Sequence, residues 1–271
     1  MMTDLPQRLA VDRGLGGLSP AELRAELFER PRDGRVAIPG MEVIERPGWW
    51  QLVTPSFREG GLNEVALSIL ADDEADAVID RTIAGYRDRG IRFRWSVFPS
   101  ARPLDLATRL EARGLRREET AAVARETATA AAEIAAPVGV EVRAIDAAGV
   151  DEFVAVMAQG WGVDPGPLLD YHRRAAASDG HRFYLARVGD GPWAGVAGAV
   201  HFERSVFMLG GVVLPEARGA GLYRALVRAR LLDAAARGIT VATSHAIVGT
   251  SAPILARLGF VEVARFAMLM D

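Results

Sequence analysis

One stretch decides how this chain is interpreted: VVLPEARGAGLYR, residues 212–224. The apolar run before it, residues 206–214, predicts a strand, and the amphipathic pattern over residues 222–237 predicts a helix. Gly219 and Gly221 lie at the junction, where the absence of a Cβ lets a ligand approach the backbone closely. A loop of this composition between a strand and a helix is therefore a candidate binding loop.

The first turn of the predicted helix points unpaired N–H groups, and the positive end of its dipole, at this loop. That geometry binds a phosphate or a pyrophosphate. A dinucleotide fingerprint is excluded, since Arg224 stands where its third glycine belongs and residues 240–244 offer no acid. A glycine-rich turn that merely starts a helix is the alternative for an isolated Gly-x-Gly.

The composition removes several classes of chemistry. The 271 residues include no Cys, which excludes disulfides, thiolate nucleophiles and Cys-ligated metal. They also include no Lys, so Schiff-base enzymes and phosphate loops that need Lys are excluded. His172, His181 and His201 show no metal-ligand spacing and are expected at the surface or at strand ends, and we expect no metal.

Charge and hydropathy bear on partners and location. A net charge of −3 argues against a dedicated nucleic-acid binder. The longest apolar run is far shorter than the roughly 20 residues that a membrane helix needs. Residues 1–17 mix charge with glycine and lack an apolar signal core. We therefore expect a cytoplasmic protein without a membrane partner.

Helix and strand patterns alternate along the chain and predict an α/β fold with a mixed sheet. The two halves also resemble each other: LEARGL at residues 110–115 parallels LARLGF at residues 255–260, within the same order of elements. A duplicated fold follows, with a first domain over 1–125, a linker over 126–137 and a second domain over 138–271. Two strands are expected to close the chain.

The Arg-Gly-Ala-Gly loop after Val-Val-Leu-Pro resembles the acetyl-CoA loop of the GNAT superfamily of N-acetyltransferases. Arg218 and Gly221 match that family's Arg/Gln-x-x-Gly-x-Gly/Ala pattern, whereas Tyr223 departs from its final small residue. The downstream sequence Leu258-Gly259-Phe260 is similar to the turn after the family's fourth helix. The resemblance covers residues 138–271 and implies two tandem GNAT-like domains, of which the second binds acetyl-CoA.

The resemblance also implies the cofactor contacts. Strands over residues 206–214 and 239–245 would splay apart, pantetheine would pair with the backbone of the first strand, and the loop amides would hold the pyrophosphate. The cofactor-binding residues are then Val212, Val213, Leu214, Arg218, Gly219, Ala220, Gly221, Leu222, Tyr223 and Arg224. The alternative for Arg224 and Arg228 is a solvated helix face.

Many members of the family take the catalytic proton from a Tyr at a position that is Leu255 here. The remaining candidates are His245, which titrates near neutrality, and Ser251. The alternatives are a hydrogen-bonded structural His and an ordinary helix N-cap. Trp161, Tyr171 and Trp193 are candidates for an acceptor pocket, although aromatic residues near strands more often belong to the core.

The first half has the acids Asp73, Glu74 and Asp76 where its glycine loop would lie. Carboxylates there would repel a pyrophosphate. We therefore expect a degenerate GNAT-like domain over 1–125 that lacks a CoA loop and shapes the acceptor cleft.

Together these features predict an N-acetyltransferase. It would move an acetyl group from acetyl-CoA, used as co-substrate, to an amine of a small molecule or peptide by direct attack in a ternary complex, as a monomer or homodimer. The alternatives are a non-catalytic acyl-CoA-binding regulatory or sensor protein, motivated by Leu255, and a structural partner protein.

Overall fold

In the computed structural model, residues 14–271 are described and form two compact units. The large unit contains residues 14–36, 122–246 and 253–263, and the small unit contains residues 37–121, 247–252 and 264–271. This division differs from the predicted one, because residues 14–36 pack with the second half of the chain and residues 264–271 with the first. Residues 1–13 of the predicted first domain lie outside the described part.

The elements alternate as an α/β pattern predicts. The helices are α1 (Pro20–Phe28), α2 (Arg30–Asp33), α3 (Asp72–Arg87), α4 (Leu106–Glu111), α5 (Ala130–Glu133), α6 (Val150–Trp161), α7 (Pro165–Ala176), α8 (Leu222–Ala236) and α9 (Ser251–Arg257). The strands are β1 (Glu42–Arg46), β2 (Trp49–Val53), β3 (Glu64–Ser68), β4 (Arg94–Val97), β5 (Arg116–Glu126), β6 (Val140–Ile145), β7 (His181–Val188), β8 (Gly195–His201), β9 (Ser205–Val213), β10 (Val241–Ile247) and β11 (Val261–Met270). Residues 14–271 contain no helix with the length and apolar character needed to cross a bilayer.

The large unit is a mixed sheet in which β6, β7, β8 and β9 are successively antiparallel. β10 then pairs with β9 in parallel, and β5 is the next strand. A parallel pair needs a crossover, which here is α8. The sequence preceding α8 is the candidate loop, so the crossover places that loop at the end of β9.

The first helix of the large unit begins where its sequence predicts. Ser19 and Glu22 form a reciprocal capping box, which fixes the start of α1. This capping, with Arg204 beside the carboxylate, lowers the pKa of Glu22 to about 2. The buried Glu26 then accepts a hydrogen bond from Ser205 Oγ at 2.5 Å. These contacts attach α1 to the start of β9, which explains why residues 14–36 belong to the large unit.

The small unit repeats the same scheme of pairing. β1, β2 and β3 are successively antiparallel, and β4 pairs with β3 in parallel after the crossover helix α3. β11 follows next to β4 as one continuous strand, so the expectation of two final strands is wrong. Its core centres on Trp49 and Trp95, whose rings meet edge to face at 5.5 Å.

The expectation of surface histidines is wrong at His172. This residue lies within α7, is only 5% exposed, and packs against Phe153 and Phe183. Its Nδ1 donates to Leu168 O at 2.7 Å. Burial lowers the pKa of His172 to about 4. His181 and His201 do lie at strand ends, but His181 is also buried.

The buried His172 predicts a pH dependence of stability. Its pKa falls from 6.5 to about 4 on folding, so the unfolded chain binds more protons within that window. The free energy of unfolding should therefore decrease as the pH drops from 6.5 to about 4, by up to about 3 kcal/mol from this group.

We expect His172→Gln to flatten this dependence, measured as the difference between the two proteins in urea denaturation at a series of pH values. Carboxylates contribute equally to both proteins and cancel in the difference. Parallel stability curves for the two proteins between pH 7 and pH 4 would contradict the prediction.

Candidate functional site

The strands β9 and β10 separate early. Their ladder, within residues 14–271, consists of the pairs Ser205–Val241, Val206–Ala242 and Phe207–Thr243. Both strands continue beyond the last pair, β9 to Val213 and β10 to Ile247. The backbone of β9 past this point therefore has an edge that faces away from β8 and lacks a strand partner, as the resemblance implies.

A β-bulge shapes that edge. Val196 pairs with Val212 and Gly198 with Leu209, so two residues of β9, Gly210 and Gly211, oppose one residue of β8. Gly210 has φ of +61°, the left-handed conformation that favours glycine. A bulge leaves backbone groups unpaired and turns them away from the ladder. The sequence analysis missed this feature, although two glycines inside an apolar run are a signal for it.

The two bulge glycines face different walls. A Cβ on Gly210 would lie 3.5 Å from Met157 Cε and 3.8 Å from Trp161 Cη2, both on α6. A Cβ on Gly211 would lie 3.1 Å from Tyr223 Cε2, on α8. The edge of β9 thus runs between an apolar wall and a wall built by α8.

The predicted loop follows directly. Its residues 218–220 are exposed, and Gly219 and Gly221 have φ of +85° and +89°. No side chain of the described residues caps α8, whose first intrahelical bond is Ala225 N–H to Gly221 O. The N–H groups at the start of α8 therefore lie at an exposed loop, as anion binding requires.

The side chains of the predicted cofactor residues differ in what they offer. The buried Leu214 is already bonded at both backbone groups, since its N–H donates to Ala194 O at 2.8 Å and its C=O accepts from Ala217 N–H at 3.0 Å. The buried Leu222 offers only its backbone to a ligand. Arg218 and Arg224 are exposed, and Arg218 Nε lies 3.3 Å from Val213 O, at the edge of β9. The guanidinium groups of Arg218 and Arg224 are therefore accessible to the phosphates of a ligand.

The segment predicted as a linker packs beside this loop. It contains the short helix α5, and Ile134 O accepts a hydrogen bond from Arg228 Nε at 2.9 Å. Pro137 covers Gly221, where a Cβ would lie 3.0 Å from Pro137 Cβ. A larger residue at position 221 is therefore disfavoured both by the contact with Pro137 and by the positive φ. A Cβ on Gly219, in contrast, would meet open space.

Solved structures with this arrangement share little sequence with the chain. A functionally unknown conserved protein from Staphylococcus epidermidis superposes with a TM-score of 0.64 at 13% identity, over 87% of this chain and 95% of the other. A GCN5-related N-acetyltransferase from Kribbella flavida gives 0.60 at 17%, over 92% and 93%. A tandem GNAT protein from the clavulanic acid biosynthesis pathway gives 0.57 at 16%, over 98% and 94%. The chain has the GNAT fold.

This confirms the predicted fold class. No protein-family model and no curated protein sequence matches the chain at a significant level. At sequence identities this low, the similarity to the solved structures shows a shared fold and nothing more.

His245 lies where β9 and β10 separate, two residues past the last ladder pair. Its ring contacts Phe207 edge to face at 5.2 Å and stacks on Phe28 at 5.9 Å. Its Nε2 lies 2.9 Å from Leu27 O, which as a carbonyl accepts the proton. In the neutral ring with Nε2 protonated, the lone pair lies on Nδ1.

The other candidates at this end of the GNAT fold are Ser251 and the position of Leu255. Ser251 begins α9, and its Oγ accepts a hydrogen bond from Ile247 N–H at 2.9 Å. Leu255 is 1% exposed and belongs to the core of the large unit. An apolar, buried residue there supplies no proton, and the role of Ser251 stays a prediction.

The turn after α9 has a structural explanation. Gly259 has φ of +81°, and a Cβ there would collide with Arg125 Nη1, which donates to Leu258 O. The buried Arg125 guanidinium also pairs with Glu133 at 2.5 Å. The Leu258-Gly259-Phe260 sequence thus ends the helix and seats a buried cation.

Of the aromatic candidates, only Trp161 lies beside the bulge, and it is 47% exposed. Tyr171 is buried, and burial raises its pKa. The guanidinium carbons of Arg143 and Arg187 lie 4.6 and 4.5 Å from the ring centroid of Trp193. Tyr171 therefore belongs to the core, and Trp161 is the aromatic residue with access to the edge of β9.

In the small unit, the acids at the start of α3 pair with α4. Arg109 bonds to Asp72 and Asp76, and Arg113 bonds to Asp76 at 2.8 Å and Asp80 at 2.5 Å. The hydrogen bond from Arg113 lowers the pKa of Asp80. The corresponding helix start therefore carries carboxylates instead of a glycine loop, and the degenerate character of this domain stays a prediction.

Close packing of α6 on β9 fixes the edge of the site and generates a test. A Cβ on Gly160 would lie 2.6 Å from Val212 Cγ2, a stiff branched side chain. We expect Gly160→Ala to lower the free energy of unfolding by about 1–3 kcal/mol, despite the higher helix propensity of Ala.

The matched comparison is the same substitution in a Val212→Ala background, where the clash is gone. There Gly160→Ala should be neutral or stabilising by up to about 1 kcal/mol, measured in urea denaturation as a double-mutant cycle. Stabilisation by Gly160→Ala in the unaltered protein would show that β9 is not held by this contact.

Proposed function

We propose that the protein is an acyl-CoA-dependent N-acyltransferase that transfers an acetyl group from acetyl-CoA to an amine. One observation carries the proposal. The pairing of β9 with β10 ends at Phe207, and the edge of β9 that this leaves open leads into an exposed loop at the start of α8, which has no side-chain cap among the described residues. An extended ligand with a pyrophosphate at one end matches this combination, because one part requires backbone pairing and the other requires anion binding.

The residues divide the binding between them. Backbone groups of Val212 and Val213 pair with pantetheine, and the amides of residues 219–224 hold the pyrophosphate. Arg218 and Arg224 supply positive charge at the same end. The acyl group then lies toward the bulge at Gly210–Gly211, whose unpaired backbone groups are suited to stabilise an oxyanion.

The acceptor amine approaches from the α6 wall, where Met157 and Trp161 border the bulge. Its nitrogen attacks the thioester carbonyl carbon, the C–N bond forms, and the C–S bond breaks to release CoA. Attack is direct, since the chain has no Cys to carry an acyl group. The acceptor is a small molecule or a peptide, and the base proposed for its proton is His245.

The binding loop is tested at Gly219, whose Cα has open space around it. Gly219→Asp places a carboxylate at the proposed pyrophosphate seat, so we expect the Kd for acetyl-CoA to rise about 10- to 100-fold. Gly219→Asn imposes the same backbone strain and the same bulk without charge, so it should bind acetyl-CoA about 10-fold more tightly than Gly219→Asp. Isothermal titration calorimetry measures all three.

Equal affinities for the Asp and Asn variants would place the pyrophosphate elsewhere. Failure of the unaltered protein to bind acetyl-CoA would overturn the proposed function. Binding without thiol release from any of a panel of amines would instead identify a non-catalytic acyl-CoA-binding protein. Thiol release is clean to measure, because the protein itself contains no thiol.

The role of His245 is tested by separating its hydrogen bond from its titration. His245→Gln keeps an N–H that can donate to Leu27 O but removes the titrating ring. If His245 is the base, turnover with the best amine should fall about 100-fold and lose the ionisation near neutrality. Unchanged binding of acetyl-CoA is the control, and an identical pH–rate profile would leave His245 a structural residue.

A further inference from the structure

The buried guanidinium of Arg230 lies beneath the bulge. Arg230 is on α8 and is only 2% exposed. Its Nε donates to Leu226 O at 3.0 Å, and its Nη1 donates to Gly198 O at 3.3 Å. Gly198 adjoins the register shift of β8, and Arg230 Nη2 lies 4.0 Å from the position of a Cβ on Gly211.

The charge of this guanidinium is not matched by a carboxylate. None of the ion pairs formed within residues 14–271 includes Arg230. Asp233, one turn along α8, accepts hydrogen bonds from Tyr184 at 2.9 Å and Arg237 at 3.2 Å. The titratable groups that face Arg230 are the phenols of Tyr184 and Tyr223.

Both phenols are neutral at physiological pH. Burial raises the pKa of Tyr184 and also that of Tyr223. Burial lowers the pKa of Arg230, but an arginine side chain stays protonated in proteins. The interior beneath the bulge therefore holds a net positive charge whose known partners are two carbonyl oxygens.

An isolated buried cation carries a desolvation penalty that two carbonyl oxygens compensate only in part. A negative charge that appears nearby during a reaction would be stabilised strongly, because the cation is already fixed and shielded from water. The open edge of β9 at Gly211 is where this charge acts. Under the proposed function, on which this inference rests, that is the acyl-transfer end of the ligand.

We propose that Arg230 is a positioning residue whose fixed charge, acting across Gly211, stabilises the thiolate of CoA as it leaves. The amine nitrogen forms the C–N bond, and the electron pair of the breaking C–S bond goes to sulfur. The proton of the amine goes to the base. The leaving thiolate then needs no acid from α9, which agrees with the buried Leu255 at that helix.

The test is the pKa of the CoA thiol when free CoA is bound to the protein. The titration of the thiol is followed by the ultraviolet absorbance of the thiolate. The complex with desulfo-CoA, which lacks the thiol, gives the absorbance of adenine and tyrosine that is subtracted. Because the chain contains no Cys, the titrating thiol belongs to CoA. We expect bound CoA to titrate about one to two pH units below free CoA.

Arg230→Met keeps an unbranched chain that reaches as far as the arginine Nε but removes the guanidinium charge, so the thiol pKa should return to or above that of free CoA. Arg230→Lys keeps the charge but not the guanidinium, and it should retain most of the shift in the thiol pKa. If Arg230 had only a structural role, this dependence on charge would not be seen. Arg237→Met, a charge removal at the residue that caps the same helix, is the matched control and should leave the shift unchanged.

The outcomes separate the two proposals. CoA that binds with an unshifted thiol pKa, or a shift that survives in Arg230→Met, overturns the role of Arg230 and leaves the acyltransferase intact. Absence of CoA binding overturns the proposed function and this inference with it. If Arg230→Met fails to fold, Arg230→Gln, which keeps an N–H donor but carries no charge, replaces it with the same two outcomes.

Discussion

The parallel pairing of β9 with β10 stops after three residue pairs, and the rest of the candidate site depends on this. Backbone N–H and C=O groups are strong hydrogen-bonding groups, so an unpaired strand edge inside a sheet is free to take a partner of another kind. Under the proposed function, the amide groups of pantetheine supply that partner. The same early separation brings the exposed loop to the end of the open edge.

Glycines make this edge possible on both faces of the sheet. Gly160 lets α6 pack directly on Val212, and Gly211 lets the ring of Tyr223 lie under the strand. Gly210 takes the left-handed conformation that shifts the register. Side chains at these positions would push the covering helices away from the strand. The close packing around the open edge therefore requires glycine.

Much of this could be predicted from the sequence, because the signals are local. The strand, the loop and α8 follow from an apolar run, a Gly-x-Gly and a helical repeat within thirty residues, and the Ser19 capping box marks α1 correctly. The bulge was missed because Gly210 and Gly211 lie inside a run that otherwise predicts an ordinary strand.

Features that depend on distant residues could not be predicted. Residues 14–36 belong to the large unit through contacts such as Glu26 with Ser205, which periodicity does not reveal. His172 has no sequence neighbour that distinguishes it from a surface histidine, and its burial arises from Phe153 and Phe183. The absence of Lys was visible at once, but which arginines are buried was not.

Those buried arginines show why burial alone does not identify a functional cation. In the described part of the chain, Arg125 and Arg230 are the buried arginines, and both donate to backbone carbonyls. Arg125 also pairs with Glu133, so its charge is neutralised where it sits and its role is to secure the turn at Gly259. Arg230 has no such carboxylate and lies beneath the open edge of β9. Because the two share side-chain type, burial and carbonyl contacts, the missing counter-charge is what distinguishes the cation that can act on a ligand.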